Sequence, residues 1–187
     1  MENEQVQPSY WSSVIIGALF TAIVIFIVSL VSGYMTISSE PTGAMFSPGQ
    51  FIGILACLIG AFGGVLSTRH YAKTNDITFT IGTGALIGLF TGIIAAVISG
   101  VLSQLWQFVD PSFVQNIIDA TVANLDAMTS IPDDQKEKII AGTVETIESQ
   151  YGSLSGILKG TAISMATFGF LNALTGMIGA KIFASED

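Results

Sequence analysis

Charge disappears from this chain in four long runs, and those runs set its architecture. Residues 13–35, 49–68 and 79–109 carry none, and residues 160–180 lie uncharged between Lys159 and Lys181. A helix needs about 20 apolar residues to cross the hydrocarbon core of a bilayer. The pattern therefore predicts four transmembrane helices, over 13–35, 49–68, 79–109 and 153–183, with polar tails at 1–12 and 184–187. The third is longer than the core requires, so it tilts or projects its Gln104–Phe108 end into the headgroups. Tyr10, Trp11 and Tyr34 bracket the first span, as interfacial aromatics do. Pro41, Gly43, Pro48 and Gly49 break the chain before the second, and Arg69, His70, Tyr71 and Lys73 mark its far edge. The first run is too long for a signal-peptide core and its leader is acidic, so no cleaved signal is expected.

A different pattern fills residues 110–152. Phe113, Val114, Ile117, Ile118, Thr121, Val122 and Leu125 recur at spacings of three and four, the period of an amphipathic helix. Asp110 before Pro111 reads as an N-cap with proline at the first helical position. Ser130 and Asp133 read as a capping box for a second helix with Ile139, Ile140, Val144 and Ile147 on one side. The expected fold is thus an all-α integral membrane protein. It is a four-transmembrane-helix bundle with an extramembrane, acidic helical hairpin between the third and fourth spans. The apolar sides of the hairpin are expected to close on each other or to dock on another protein.

Composition sharpens this. Of 187 residues only 11% are charged, against about 25% in soluble domains; the mean hydropathy is +0.67. The net charge of −8 argues against nucleic acid, which needs a basic surface, and against a basic helix lying on anionic lipid. The lone cysteine, Cys57, reads as a small buried packing residue. With only the distant His70 to join it, it makes no zinc site. Metal ligands and cofactors are not expected.

Four spans put both termini on one side, together with Arg69, Lys73 and Lys181. Lys136, Lys138 and Lys159 fall on the other. Bare counts tie, but short loops and membrane-edge residues carry the greater weight. That places the termini in the cytoplasm and the hairpin outside.

Small residues recur every fourth position on the third span: Gly84, Gly88, Gly92, Ala96 and Gly100. The second span has Ala56, Gly60 and Gly64, with Gly53, Cys57 and Ala61 on another row. The fourth has Gly156, Gly160 and Ser164, then Gly169 and Ala173. Such rows let helix backbones approach closely in lipid. On a straight helix the third-span row winds through roughly 160°, so its two ends should face different neighbours. Packing within one chain, contact with a second copy and a backbone-lined pore are the three readings of the row.

No Asp, Glu, Lys, Arg or His falls well inside a span, which counts against proton-coupled transport. Asn172 is the most polar residue deep in a span and reads as an interhelical hydrogen-bonding group. Trp11, Arg69, Trp106, Asp110, Pro111 and Lys159 are the expected interfacial residues, with Lys159 snorkelling or pairing with Asp110. Asp133–Asp134 and Glu145–Glu148 read as a solvated helix face rather than catalytic carboxylates, since nothing apolar surrounds them. No nucleophile set, phosphate loop or metal motif appears, so no catalytic residue is named and nothing marks an enzyme. Leu19, Phe20, Thr21, Ile23 and Ser29 match Leu89, Phe90, Thr91, Ile93 and Ser99 at a constant offset, which two duplicated hairpins would explain.

The Tyr10–Trp11 pair, the Gly84–Gly100 span, and Trp106, Phe108, Asp110, Pro111 and Phe113 together carry a resemblance across nearly the whole chain. In these features the chain resembles the bacterial membrane family known as domain of unknown function 4199. The resemblance implies a small multi-span protein of the inner membrane and implies no activity. The leading expectation is a non-catalytic scaffold or accessory subunit whose acidic hairpin meets a partner. The alternative is a small oligomeric transporter or channel packed through the glycine row.

Overall fold

The computed structural model describes residues 8–44 and 48–183; the outer part of the N-terminal polar tail and the whole of the C-terminal one lie outside the described residues. Helices follow in the order α1 (Trp11–Ser38), α2 (Pro48–Ala61), α3 (Gly63–Asn75), α4 (Ile81–Val109), α5 (Phe113–Asp126), α6 (Asp133–Gly152) and α7 (Leu154–Phe183). Phe62 alone separates α2 from α3, and together they form one 28-residue candidate span. The other three candidate spans are α1, α4 and α7, of 28, 29 and 30 residues. Each measures over about 40 Å at 1.5 Å per residue, longer than the hydrocarbon core. Large apolar side chains such as Phe20, Phe51, Leu58 and Phe170 point outward, as they do where the surrounding solvent is lipid.

Local sequence explains the ends. Asp76 takes the left-handed conformation after α3 (φ 49°, ψ 52°), and its N–H closes on the Ala72 carbonyl. Asp is among the few non-glycine residues that tolerate that region. Thr80 starts α4 by accepting the Thr83 amide at 3.2 Å, an N-cap bond. Proline stands at the first position of α2, where its missing N–H costs nothing.

The chain divides into two compact units. The first holds residues 8–22, Gly60–Ala96 and residues 165–183. Its helix pairs can be read from their contacts. Ser13, Gly17 and Thr21 of α1 meet His70, Ser67 and Gly63 of α3 in antiparallel order. Asn172, Gly176 and Gly179 of α7 meet Gly64, then Val65 and Thr68, in parallel order. At the C-terminal end of α3, Tyr71 is fully buried. Its hydroxyl donates to the Pro8 carbonyl at 2.6 Å, and its ring packs on Tyr10 and Phe79. Val14, Ile87 and Ala180 complete this apolar cluster.

The second unit holds residues 23–44, 48–59 and Val97–Ser164. Here α1 and α2 meet where Gly49 lies against Ser32 and Thr36, with the Ser32 hydroxyl donating to the Gly49 carbonyl at 2.6 Å. The short helices α5 and α6 pack on each other.

Three expectations need correction. Cys57 is exposed rather than buried. Helix α2 buries only Gly49, Ala56 and Gly60, and Cys57 stands one residue round from that narrow side, among outward Ile54 and Leu58. Asp110 does not cap α5, whose N-cap position is Ser112 without a side-chain bond. The Ser130–Asp133 capping box is also absent: α6 opens at Asp133 after Pro132, again without a side-chain cap. Asp133 and Asp134 in its first turn instead offset the positive end of the helix dipole.

Candidate functional site

In the first unit the site is built on the break between α2 and α3. The Gly64 amide donates to Asn172 Oδ1 at 2.7 Å, and Asn172 Nδ2 donates to the Gly60 carbonyl at 3.1 Å. Gly60 and Gly64 are the two residues whose backbone groups an unbroken helix would pair with each other. The Asn172 carboxamide thus takes both halves of one rung of the ladder, a side-chain wedge of the kind that interrupts helices. Its second N–H donates to the Phe168 carbonyl at 2.9 Å, and Thr175 Oγ1 donates to the Ala61 carbonyl beside it. Asn172 is fully buried, where an unpaired amide would be costly.

Glycines make this approach possible. A β-carbon on Gly64 or Gly88 would overlap the Asn172 backbone oxygen, and one on Gly92 the Phe168 oxygen. Gly84 also lies close against Gly176 and Ala180. Ala96 is buried. In the second unit Gly100 lies beside Thr161 with ordinary clearance, 3.6 Å from a built β-carbon. The row on α4 was expected to turn from one neighbour to another, but at both ends that neighbour is α7.

The third-to-fourth-span pairing uses Asn172, Gly176 and Ala180 on α7, which stand at every fourth position, together with Gly169 of the expected row, which lies against Leu89, Gly92 and Ile93. Gly17, Ser67 and Thr21 were also missed. Gly17 lies against the Ser67 side chain, and Ser67 accepts the Thr91 hydroxyl at 2.8 Å. The paired Thr21 and Thr91 of the proposed repeat both turn onto α3, at Gly63 and Ser67.

In the second unit the base of the hairpin forms a polar cluster. Tyr34 donates to Asp110 Oδ2 at 2.7 Å and accepts the Trp106 indole N–H at 3.3 Å. Asp110 Oδ1 accepts the Ser112 hydroxyl at 2.7 Å and its amide at 3.2 Å, an Asx turn. The Tyr34 and Ser112 hydroxyls hold the Asp110 carboxyl below its ordinary range. Asp110 therefore pairs with Tyr34 and Ser112 rather than with Lys159, which is exposed, as is Pro111.

Phe113 packs against Gly33 and, at 5.0 Å, the Tyr34 ring. At the other end of α5, Asn124 Oδ1 accepts the Thr42 and Gly43 amides at 3.3 and 3.2 Å, and its Nδ2 donates to the Ala44 carbonyl at 3.0 Å. Gly43 has φ +66° and lies against the Ala127 backbone, a position only glycine fills without strain. So α5 closes on its own chain at both ends, a third scheme beside the two expected. A small cavity of about 60 Å³ lies behind it, walled by Phe26, Leu30, Trp106, Phe113, Ile117 and Tyr151 among others; burial pushes the Tyr151 phenol up. No residue of helix α6 is fully buried; Tyr151, at the cavity, is half-buried. Asp133, Asp134, Glu137, Glu145 and Glu148 are exposed, and Ile139, expected on the apolar side, is 40% exposed.

Of the edge residues in the first unit, Trp11 packs on Phe90 at 5.0 Å and the Arg69 guanidinium stands 5.9 Å from the Phe183 ring.

Four long apolar helices with a polar helix pair between the third and fourth define a multi-pass helical membrane protein. The chain belongs to the family described as "Protein of unknown function (DUF4199)", which matches residues 13–185. No curated protein and no solved structure matches it.

Proposed function

We propose that this protein is a non-catalytic scaffold or accessory subunit of the bacterial inner membrane, and that the acidic face of α6 meets a basic partner. One observation carries the reading. Helix α5 is clamped to the chain at Phe113 and Asn124, while α6, packed on it, fully buries none of its residues and turns five carboxylates outward. A charged helix held on a fixed base steers a partner of opposite charge. The transporter or channel alternative needs the α4 glycine row as an interface between copies. Gly84, Gly88 and Gly92 instead meet α7 of the same chain, which favours the first reading.

The test is a mild-detergent pull-down of the full protein beside a variant carrying Asp134→Lys, Glu137→Lys, Glu145→Lys and Glu148→Lys. A stoichiometric partner should accompany the first and be lost from the second. No such partner, or one equally retained by the variant, rejects the reading. A uniform closed oligomer with ion flux in liposomes would install the alternative.

A further inference from the structure

Helix α3 meets α1 through Gly63, Ser67 and His70, and α7 through Gly64, Val65 and Thr68. Its remaining side is a stripe of Phe62, Leu66, Arg69 and Lys73, at steps of four, three and four. All four are exposed. The stripe changes character along its length. Phe62 and Leu66 are apolar, and Arg69, about 10 Å further along at 1.5 Å per residue, begins a cationic end. On α7, Ile178 and Ile182 stand three residues beyond Thr175 and Gly179, which meet Ala61 and Thr68. Both isoleucines are exposed. Helix α4 occupies the other flank of α7, at Gly176 and Ala180, so the isoleucines border the α3–α7 seam on the side of the stripe. The cations are uncommitted. In a chain of net charge −8, neither Arg69 nor Lys73 has an ion-pair partner among the described residues, even though Asp76 follows Lys73 by three positions. The Arg69 guanidinium stands 5.9 Å from the centre of the Phe183 ring. A ring attracts the cation without accepting its N–H groups as a carboxylate would.

We propose that this stripe is a binding site for one anionic phospholipid. The phosphate accepts from the Arg69 guanidinium and the Lys73 ammonium, and an acyl chain lies along Phe62, Leu66 and the two isoleucines. The order of the residues carries the assignment. Two cations one turn apart sit at the membrane-edge end of an apolar strip, which is the layout of a phospholipid read from headgroup to tail. The guanidinium suits a phosphate because its planar fork can give two parallel N–H bonds, and the ammonium adds a second point of charge. The Phe183 ring holds the fork beside the seam before the lipid arrives, which lowers the ordering cost of binding. Net charge decides between lipids. A zwitterionic headgroup brings an ammonium of its own to two cations, whereas an anionic one brings only the charge that they lack. The site is the same in either orientation of the protein, because it needs only a leaflet edge. It stands apart from the partner-binding reading, since no residue of the hairpin takes part.

The test is native mass spectrometry of the full protein in mild detergent. It is offered phosphatidylglycerol and phosphatidylethanolamine with matched acyl chains in equal amounts. Wild type should retain one phosphatidylglycerol in clear preference. The variant Arg69→Gln with Lys73→Gln should lose that preference, by roughly fivefold for each cation removed. Lys136→Gln with Lys138→Gln takes the same charge from α6 and should keep it. Should the first variant unfold early, Arg69→Gln and Lys73→Gln are made singly, and each should lose about fivefold. Equal retention of the two lipids by wild type overturns the proposal. So does a preference that survives loss of Arg69 and Lys73, or one that falls equally in the α6 variant. Displacement of the lipid by millimolar inorganic phosphate would also overturn it, by making the site one for a soluble anion.

Discussion

Asp110 accepts from Tyr34 and from Ser112, and both bonds favour its ionised form. The folded-state pKa is therefore depressed, Tyr34 being the largest cause, against an unfolded value of about 3.9. A depressed carboxyl stabilises the fold above its unfolded pKa, and that contribution is lost as pH falls through the folded value. Asp110→Asn should flatten the acid limb of the thermal-unfolding profile below about pH 4, and Tyr34→Phe should reproduce most of the flattening. The chain carries thirteen other Asp and Glu residues, so the difference from wild type is the quantity to read. An unchanged acid limb in Asp110→Asn would remove the cluster from any role in holding the hairpin base. The sequence singled out Asp110 but paired it with Pro111 and Lys159. Its true partner lies 76 positions away on another helix, and no local spacing rule reports a contact of that range.

At the level of the helices, the glycine rows say where backbones touch but not which row is used. Gly53, Cys57 and Ala61 satisfy the same rule as Ala56, Gly60 and Gly64, yet Cys57 faces outward. In lipid an outward side chain is as apolar as an inward one, so hydrophobicity loses the inside–outside contrast that it gives in water. The count of spans survived that loss because it rests on run length. The caps of α5 and α6 did not, because the turns before them are made by Pro111 and Pro132 and by contacts to other elements. The α4–α7 seam makes a graded prediction. Gly88→Leu and Gly92→Leu push against the backbone oxygens of Asn172 and Phe168, and overpacking of this kind costs roughly 1–3 kcal/mol. Both should lower the unfolding midpoint in detergent. Gly100→Ala has ordinary clearance at Thr161, and Val97→Leu is on a 39% exposed side chain, so both should stay near wild type. Equal tolerance at all four would mean that the seam does not hold α4 and α7 together.

For the molecule in its membrane, the first unit says which ends lie together. The N-terminal end of α1 reaches the C-terminal end of α3 through Pro8 and Tyr71. The C-terminal end of α7 reaches it through Arg69 and Phe183. The start of α1 and the end of α7 thus share a side with the loop after Asn75. Charge gives the direction. Arg69, Lys73 and Lys181 stand at that membrane edge. On the other side Lys136 and Lys138 sit on α6, Lys136 being engaged by Asp133 at 3.6 Å and by the Asp126 carbonyl at 3.0 Å, and Lys159 alone stands near a span end, at the start of α7. Basic residues close to span ends are retained in the cytoplasm, so the shared side should be cytoplasmic and α6 should face out. Single cysteines at Glu40, Thr74 and Ser130, all exposed positions, test this in a Cys57→Ala background. The background matters because Cys57 is itself exposed and would add a signal with lipid-soluble reagents. On intact cells a membrane-impermeant thiol reagent should label Glu40→Cys and Ser130→Cys and leave Thr74→Cys unlabelled until the membrane is opened. Labelling of Thr74→Cys alone would reverse the orientation and put the acidic face of α6 in the cytoplasm, so that its basic partner would have to be sought there. Labelling of Glu40→Cys without Ser130→Cys would mean that α4 does not cross, and would refute the four-span count itself.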